Sequence, residues 1–86
     1  MLKVYGAQWC PHCVKTVNYL REHDIEFDYV NIDTIDPEME RKIIEVNGGD
    51  DWVIPTLEFN GNWREGKKFN AKQLAKDVIK LGVIGE

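Results

Sequence analysis

The sequence has few cysteines, few histidines and no long apolar run, and each shortage excludes a class of protein. Only two of its 86 residues are cysteine, which excludes a framework of several disulfides. With only two histidines besides, the chain offers few ligands for a structural zinc site, which normally takes four, and we expect no resident metal. No apolar stretch approaches the roughly 20 residues that a membrane-spanning helix needs. The first residues turn polar too early for a signal peptide, so we expect a cytoplasmic protein without a membrane partner.

Positive charge is also scarce. The chain has 11 lysines and arginines against 15 aspartates and glutamates, and a formal net charge of −4. Nucleic acids and anionic membranes are bound by positive surfaces, so nucleic acid is not an expected partner. An apolar content of 43% over this length suits one small core. We expect a single domain over residues 1–86 and a monomer.

The two cysteines that are present stand three residues apart, in the motif Cys10-Pro11-His12-Cys13. A short apolar run before the motif predicts a strand, and apolar residues at helical spacing after it predict a helix. A cysteine at a helix start faces unpaired N–H groups and the positive end of the helix dipole, which favour thiolate over thiol. Cys10 is therefore the candidate nucleophile for attack on a disulfide. Cys13, about one helical turn further on, is the candidate thiol that resolves the mixed disulfide.

Sequence patterns predict seven elements in the order β-α-β-α-β-β-α. They are a strand over 2–6, a helix over 11–23, a strand within 25–32 with both faces partly covered, a helix opening at Asp36-Pro37 and stopping at Asn47-Gly48-Gly49, strands over 53–59 and 63–65, and a helix from Asn70 to Gly82. Asn60-Gly61 favours a tight turn between the last two strands. Gln73, three residues after Asn70, predicts a capping box. The helical crossover makes the first two strands parallel and the hairpin makes the last two antiparallel, so the sheet is mixed.

Three sequence features, together with the element order, resemble the glutaredoxin family of the thioredoxin superfamily over essentially the whole chain. They are Cys10-Pro11-His12-Cys13, Val53-Ile54-Pro55 and the Phe59-Asn60-Gly61 turn. The resemblance implies a thioredoxin-like α/β fold with a four-stranded mixed sheet and helices on both faces. It also implies a cis peptide bond before Pro55, beside the dithiol, and a substrate that pairs with the backbone at Val53 and Ile54.

The same resemblance implies a thiol-disulfide oxidoreductase that reduces protein disulfides or mixed disulfides. Its redox-active group is the Cys10–Cys13 disulfide, with no other cofactor. The reductant is glutathione, another low-molecular-weight thiol, or thioredoxin reductase. The segment 46–49 is similar to mycoredoxins, and Trp63 with the segment 67–69 is similar to glutaredoxin-like electron donors of ribonucleotide reductase. These similarities leave the reductant open.

Residues near the dithiol have competing interpretations. Trp9 either covers the dithiol or belongs to the core. Pro11 suits the first helical position. His12 either supports the Cys10 thiolate as a nearby positive charge or is exposed without effect.

Gly66 and Lys67 are candidate substrate-binding residues. A lysine can bind the carboxylate of a small thiol, although a surface lysine needs no such role. Glutathione-dependent relatives usually carry Gly-Gly followed by Asp before the last helix, whereas this chain has a single glycine and no aspartate there. This difference is an argument against glutathione recognition.

Two other functions stay open. Cys10 could be a ligand in an iron-sulfur or zinc carrier, although a cluster or a structural zinc takes four ligands. Alternatively, oxidation of the cysteine pair could change the surface of a redox-sensing interaction domain.

Overall fold

The computed structural model describes residues 1–84 of the chain. Its strands are Leu2–Gly6 (β1), Phe27–Asn31 (β2), Thr56–Phe59 (β3) and Asn62–Arg64 (β4). Its helices are Pro11–Glu22 (α1), Pro37–Val46 (α2) and Ala71–Leu81 (α3), with a short 3-10 helix at Ile32–Thr34. Within residues 1–84, each helix is too short or too polar to cross a membrane.

The four strands form one mixed sheet in the order β2-β1-β3-β4. β1 runs parallel to β2 and antiparallel to β3, with Val4 opposite Leu57. β3 and β4 form an antiparallel hairpin whose turn residues Asn60 and Gly61 have φ values of 50° and 86°. Asparagine and glycine tolerate this left-handed region better than other residues, which is why the turn forms here. The predicted mixed sheet is confirmed.

Alternation along β1 divides the core into two layers. Leu2 and Val4 belong to the layer under α1 and α3, whose other members include Leu20, Leu57, Leu74, Val78 and Leu81. Tyr5 belongs to the opposite layer, with Ile43 of α2 and Ile32. The Tyr5 ring also stacks on Trp63 at a centroid distance of 5.7 Å. Helices therefore cover both faces of the sheet, as predicted.

The third strand begins later than its apolar sequence predicts. The run over 53–59 reads as one strand, but β3 starts at Thr56 and the Ile54–Pro55 peptide bond is cis. Proline has no N–H to donate to a ladder, so Pro55 ends the pairing. Because β3 lies between β1 and β4, Pro55 stands at the start of an inner strand and not at an exposed edge.

β2 is an edge strand, and the prediction that both its faces are partly covered is confirmed, because Phe27 packs on one core layer and Val30 on the other. Two other predicted bounds are corrected by the structure. β4 covers 62–64 and not 63–65, and α1 ends at Glu22 with His23 as its C-cap.

The helix starts follow local capping chemistry. Asp36 accepts a hydrogen bond from the Met39 N–H at 2.8 Å, with proline at the first position of α2, as predicted. Asn70 accepts from the Gln73 N–H at 3.0 Å, but the Gln73 side chain turns along α3 and donates to Asp77 at 2.9 Å. Only one half of the predicted capping box forms, because the carboxylate attracts the amide group of Gln73.

A buried ion pair joins β4 to α3. The Arg64 Nε donates to the Asp77 Oδ2 at 2.9 Å, and the two side chains are only 7% and 5% exposed. Burial alone would raise the pKa of Asp77. Hydrogen bonds from Gln73 and Arg64, with the charges of Arg64 and Lys67, outweigh burial and hold that pKa below its ordinary value.

We expect Asp77→Asn to lower the free energy of unfolding by about 3–5 kcal/mol near neutral pH, because it leaves Arg64 buried without a counter-charge. A lowered native pKa means that Asp77 stabilises the fold above its unfolded-state value of about 4. That contribution is lost as pH falls through the native pKa. Urea unfolding at neutral and acidic pH should show the difference between variant and parent shrinking in acid. Asp28→Asn, on the exposed edge strand, is the matched control, and equal loss from both changes would contradict the prediction.

Candidate active site

The dithiol lies at the start of α1, as predicted. Cys10 is the N-cap residue, with extended φ and ψ of −94° and 114°, and Pro11 opens the helix. The Cys10 carbonyl oxygen accepts hydrogen bonds from the N–H groups of Cys13 and Val14, both at 3.1 Å. The Cys10 side chain therefore stands at the positive end of the α1 dipole, where Pro11 has no N–H and the Cys13 N–H is already paired.

The two free thiols differ in burial. Cys10 is 7% exposed, whereas Cys13 is fully buried. Burial raises the pKa of Cys13 to about 12, assisted by its hydrogen bond to Cys10 and the Cys10 charge, and opposed by a hydrogen bond with the Ala7 backbone. Cys13 is therefore a protonated thiol near neutral pH, and Cys10 is the more accessible sulphur.

Gly6, at the end of β1, lies directly against Cys13. A Cβ placed on Gly6 would lie 2.8 Å from the Cys13 Sγ and 3.2 Å from the Tyr29 Oη. Any side chain at this position would push the thiol out of place. Sequence reasoning treated Gly6 only as a strand end, because nothing in the sequence indicates which side chain it faces.

The cis-proline segment, residues 53–55, lies beside the dithiol. The predicted cis bond before Pro55 is confirmed. Ile54 packs against the apolar cluster that contains both cysteines, and Pro55 is fully buried. Val53 is 44% exposed. Of the two predicted docking residues, Ile54 therefore packs against the cluster that contains the dithiol, whereas Val53 is exposed beside it.

Asn47 holds the cis-proline segment in place through its side-chain amide. Its Oδ1 accepts from the Gly66 N–H at 2.7 Å, and its Nδ2 donates to the Ile43 carbonyl at 2.8 Å and to the Thr56 Oγ1 at 3.0 Å. The Thr56 hydroxyl in turn donates to the Val53 carbonyl oxygen. The sequence identified Asn47 only as part of a helix stop.

The segment between β4 and α3 is fixed at two points. A Cβ on Gly66 would overlap the Val53 carbonyl group, so only glycine fits there without movement. Further along, the Phe69 N–H donates to the His12 Nδ1 at 3.0 Å. An Nδ1 that accepts a hydrogen bond carries no proton. His12 thus links the dithiol motif to this segment, a role that neither sequence interpretation included.

Trp9 and Lys67 occupy places that limit their predicted roles. Trp9 is 63% exposed and its Nε1 donates to the Asp33 Oδ2 at 3.1 Å, so its interpretation as a core residue is wrong. The Lys67 Nζ lies 3.8 Å from the Asp77 Oδ2. Its charge is therefore partly engaged by the buried ion pair.

The sequence is similar to those of known proteins. The family model described as Glutaredoxin matches residues 2–63. An uncharacterized glutaredoxin-like 8.6 kDa protein in the rubredoxin operon of Clostridium pasteurianum is 31% identical over 81 residues, which cover 93% of this chain and all of that protein. The glutaredoxin-like protein NrdH of Lactococcus lactis subsp. lactis (strain IL1403) is 41% identical over 46 residues, or 54% of this chain and 62% of that protein.

The fold is similar to that of a solved glutaredoxin from Archaeoglobus fulgidus. The TM-score is 0.67 at 23% sequence identity, with 87% of this chain and 82% of that chain covered.

We expect Asn47→Ala to loosen the contact between the segment at Gly66 and the cis-proline segment. The change removes three hydrogen bonds and leaves the Gly66 N–H without its acceptor, which should cost about 1–3 kcal/mol of stability. Amide hydrogen exchange at Gly66 should accelerate, while exchange in β1 should follow only the global loss. Asn18→Ala, at an exposed position of α1, is the control. Unchanged exchange at Gly66 would show that Asn47 does not hold the segment.

Proposed function

The chain belongs to the glutaredoxin family, and from this premise we propose that it is a dithiol thiol-disulfide oxidoreductase in which Cys10 attacks and Cys13 resolves. One observation carries the assignment of roles. Cys10, at the N-cap of α1, keeps 7% of its surface exposed, whereas Cys13 is fully buried with its pKa raised to about 12. Only a thiolate attacks a disulfide efficiently, so the accessible sulphur at the helix start is the nucleophile.

In the first step the Cys10 thiolate attacks one sulphur of the substrate disulfide. A Cys10–substrate bond forms, the substrate S–S bond breaks, and the other half leaves as a thiolate. The N-terminus of α1 favours the attacking anion because the positive end of the helix dipole lies there.

Ile54 is the proposed docking residue for the substrate backbone. The Val53 carbonyl oxygen is occupied by the Thr56 hydroxyl. Within residues 1–84, in contrast, the Ile54 N–H and C=O take part in no hydrogen bond. An extended peptide at this point would gain two backbone hydrogen bonds beside Cys10. The exposed apolar side chains of Trp9, Val14 and Val53 favour a protein as this substrate.

In the second step Cys13 loses its proton and attacks the Cys10 sulphur. The Cys10–substrate bond breaks and its electron pair leaves with the substrate thiolate. The product is a reduced substrate and an oxidised Cys10–Cys13 pair, which an external reductant must return to the dithiol form.

For this reductant we favour thioredoxin reductase over glutathione. The two candidate contacts for a small thiol are already engaged, since the Gly66 N–H donates to Asn47 and the Lys67 Nζ lies 3.8 Å from the Asp77 carboxylate. A small thiol would have to displace these contacts, whereas a protein can use the exposed apolar surface around Cys10.

We expect Cys10→Ser to abolish reduction of a protein disulfide, because the hydroxyl is a far weaker nucleophile than a thiolate. Cys13→Ser should still attack but should accumulate a mixed disulfide with the substrate protein. Mass spectrometry and non-reducing gels of both variants after mixing with an oxidised protein check this result, with the double variant as control. An adduct formed by Cys10→Ser would reverse the assigned roles. A coloured or zinc-loaded protein after anaerobic purification would favour the metal-carrier alternative.

The reductant is tested by recycling the oxidised protein with each candidate. We expect thioredoxin reductase with NADPH to regenerate the dithiol at least about tenfold more efficiently than glutathione with its reductase, which corresponds to about 1.4 kcal/mol in the transition state. Thiol titration after each incubation measures the outcome. Faster recycling by glutathione would contradict the preference for a protein reductant.

A further inference from the structure

A groove between α1 and β2 reaches Cys13 from the side of the edge strand. Its volume is about 220 Å³. Its walls include Cys13, Val14, Val17, Asn18, Arg21 and Tyr29. Of these residues only Cys13 and Val14 have a role in the steps above. Cys13 borders this groove although it is fully buried, and Cys10 is not among the lining residues, so the groove approaches the buried thiol from a side away from Cys10.

Tyr29 lines this groove, and its hydroxyl lies near Cys13. The Tyr29 Oη and the Cys13 Sγ would lie 3.2 and 2.8 Å from a Cβ placed on Gly6, so the two atoms are neighbours, although no hydrogen bond joins them in the reduced protein. The residue is nevertheless 37% exposed, so its ring extends from the thiol toward solvent. Burial raises the pKa of Tyr29, and the charges of Cys13 and Cys10 raise it further. The phenol therefore keeps its proton and stays a hydrogen-bond donor.

Formation of the mixed disulfide removes one of the causes that raise the pKa of Cys13. In the reduced protein, burial comes first among the causes that raise its pKa, followed by the hydrogen bond and charge of Cys10. Once Cys10 is joined to substrate, its charge is gone and burial is the main opposing cause. A neutral donor close to the sulphur would offset this remaining cost, since a hydrogen bond to an anion favours the charged form.

We propose that the groove between α1 and β2 is the route by which the Cys13 proton reaches solvent, and that the Tyr29 hydroxyl stabilises the thiolate as it forms. The inference rests on the proposed function, in which Cys13 resolves the mixed disulfide. The Cys13 thiol gives up its proton through the groove, and Tyr29 donates its O–H toward the sulphur. The thiolate then attacks Cys10, and the electron pair of the broken bond leaves with the substrate sulphur.

Few charged or titratable groups surround this step. Cys10 faces Cys13 across the first turn of α1, and Tyr29 faces it from β2. Arg21 lies on the wall of the groove with its guanidinium 5.9 Å from the Phe27 ring centre. Arginine stays charged at all working pH values and the Tyr29 phenol keeps its proton, so the ionisation of Cys13 sets the pH dependence.

The test is the reaction of the reduced protein with 5,5′-dithiobis(2-nitrobenzoate), followed by stopped-flow absorbance across a pH range. Attack by Cys10 releases the first thionitrobenzoate, and attack by Cys13 on the resulting mixed disulfide releases the second. We expect Tyr29→Phe to slow the second phase about five- to tenfold and to move its pH midpoint upward. The first phase should keep its rate. Tyr19→Phe, the same change on the half-buried part of α1 outside the groove, should alter neither phase.

A second variant tests the groove without changing Tyr29. Asn18→Phe, at an exposed wall position, should narrow the groove and slow the second phase only. Second phases of unchanged rate and pH midpoint in Tyr29→Phe, or equal slowing of both phases, would overturn the inference. A parent protein with no second phase would contradict the proposed role of Cys13 itself, and this outcome is distinct from a second phase that is insensitive to Tyr29.

Discussion

The burial of Cys13 against Gly6 is the constraint on which the rest of the site depends. The chain leaves β1 at Gly6 and turns back into α1 within a few residues, so the first helical turn lies directly on the strand end. The absence of a side chain at Gly6 lets the Cys13 sulphur occupy the space that a Cβ would fill. That contact removes Cys13 from water and raises its pKa. In the proposed function the attacking role therefore falls to Cys10, and the buried thiol needs a way to lose its proton.

Side-chain hydrogen bonds fix the segments that lie outside the helices and strands. The Asn47 amide joins the end of α2, the start of β3 and the segment at Gly66, using both its donors and its acceptor. His12 joins the dithiol motif to Phe69. Each bond satisfies a group that would be costly to leave buried without a partner. The cis-proline segment therefore keeps its position although it belongs to no strand.

Local signals in the sequence were sufficient for the element order and for the dithiol. The Asp36-Pro37 cap, the Asn60-Gly61 turn and the placement of Cys10 at a helix start depend on neighbouring residues, and the structure agrees with each. The start of β3 was misplaced because an apolar run before and after Pro55 looks continuous. The cis bond came from family resemblance, since composition and spacing do not indicate it.

Long-range contacts explain what sequence reasoning missed at the site. The Asn47 bond to Gly66 spans 19 residues, and the bond between Phe69 and His12 spans 57. An asparagine in Asn-Gly-Gly reads as a helix stop, and nothing nearby indicates that its amide faces another segment. Likewise, Tyr29 fits the alternation of a strand. Its hydroxyl lies near Cys13 only because β2 lies next to β1 in the sheet.

Two groups of contacts surround the dithiol. The first lies at β1, α1 and the edge strand β2, where Gly6, the helix start and Tyr29 lie around the two sulphurs. The second joins the start of β3 to the segment after β4 through the Asn47 amide. His12 and the packing of Ile54 connect these two parts. In the proposed function, the first part therefore sets the order of attack, and the second part sets the surface that a substrate contacts.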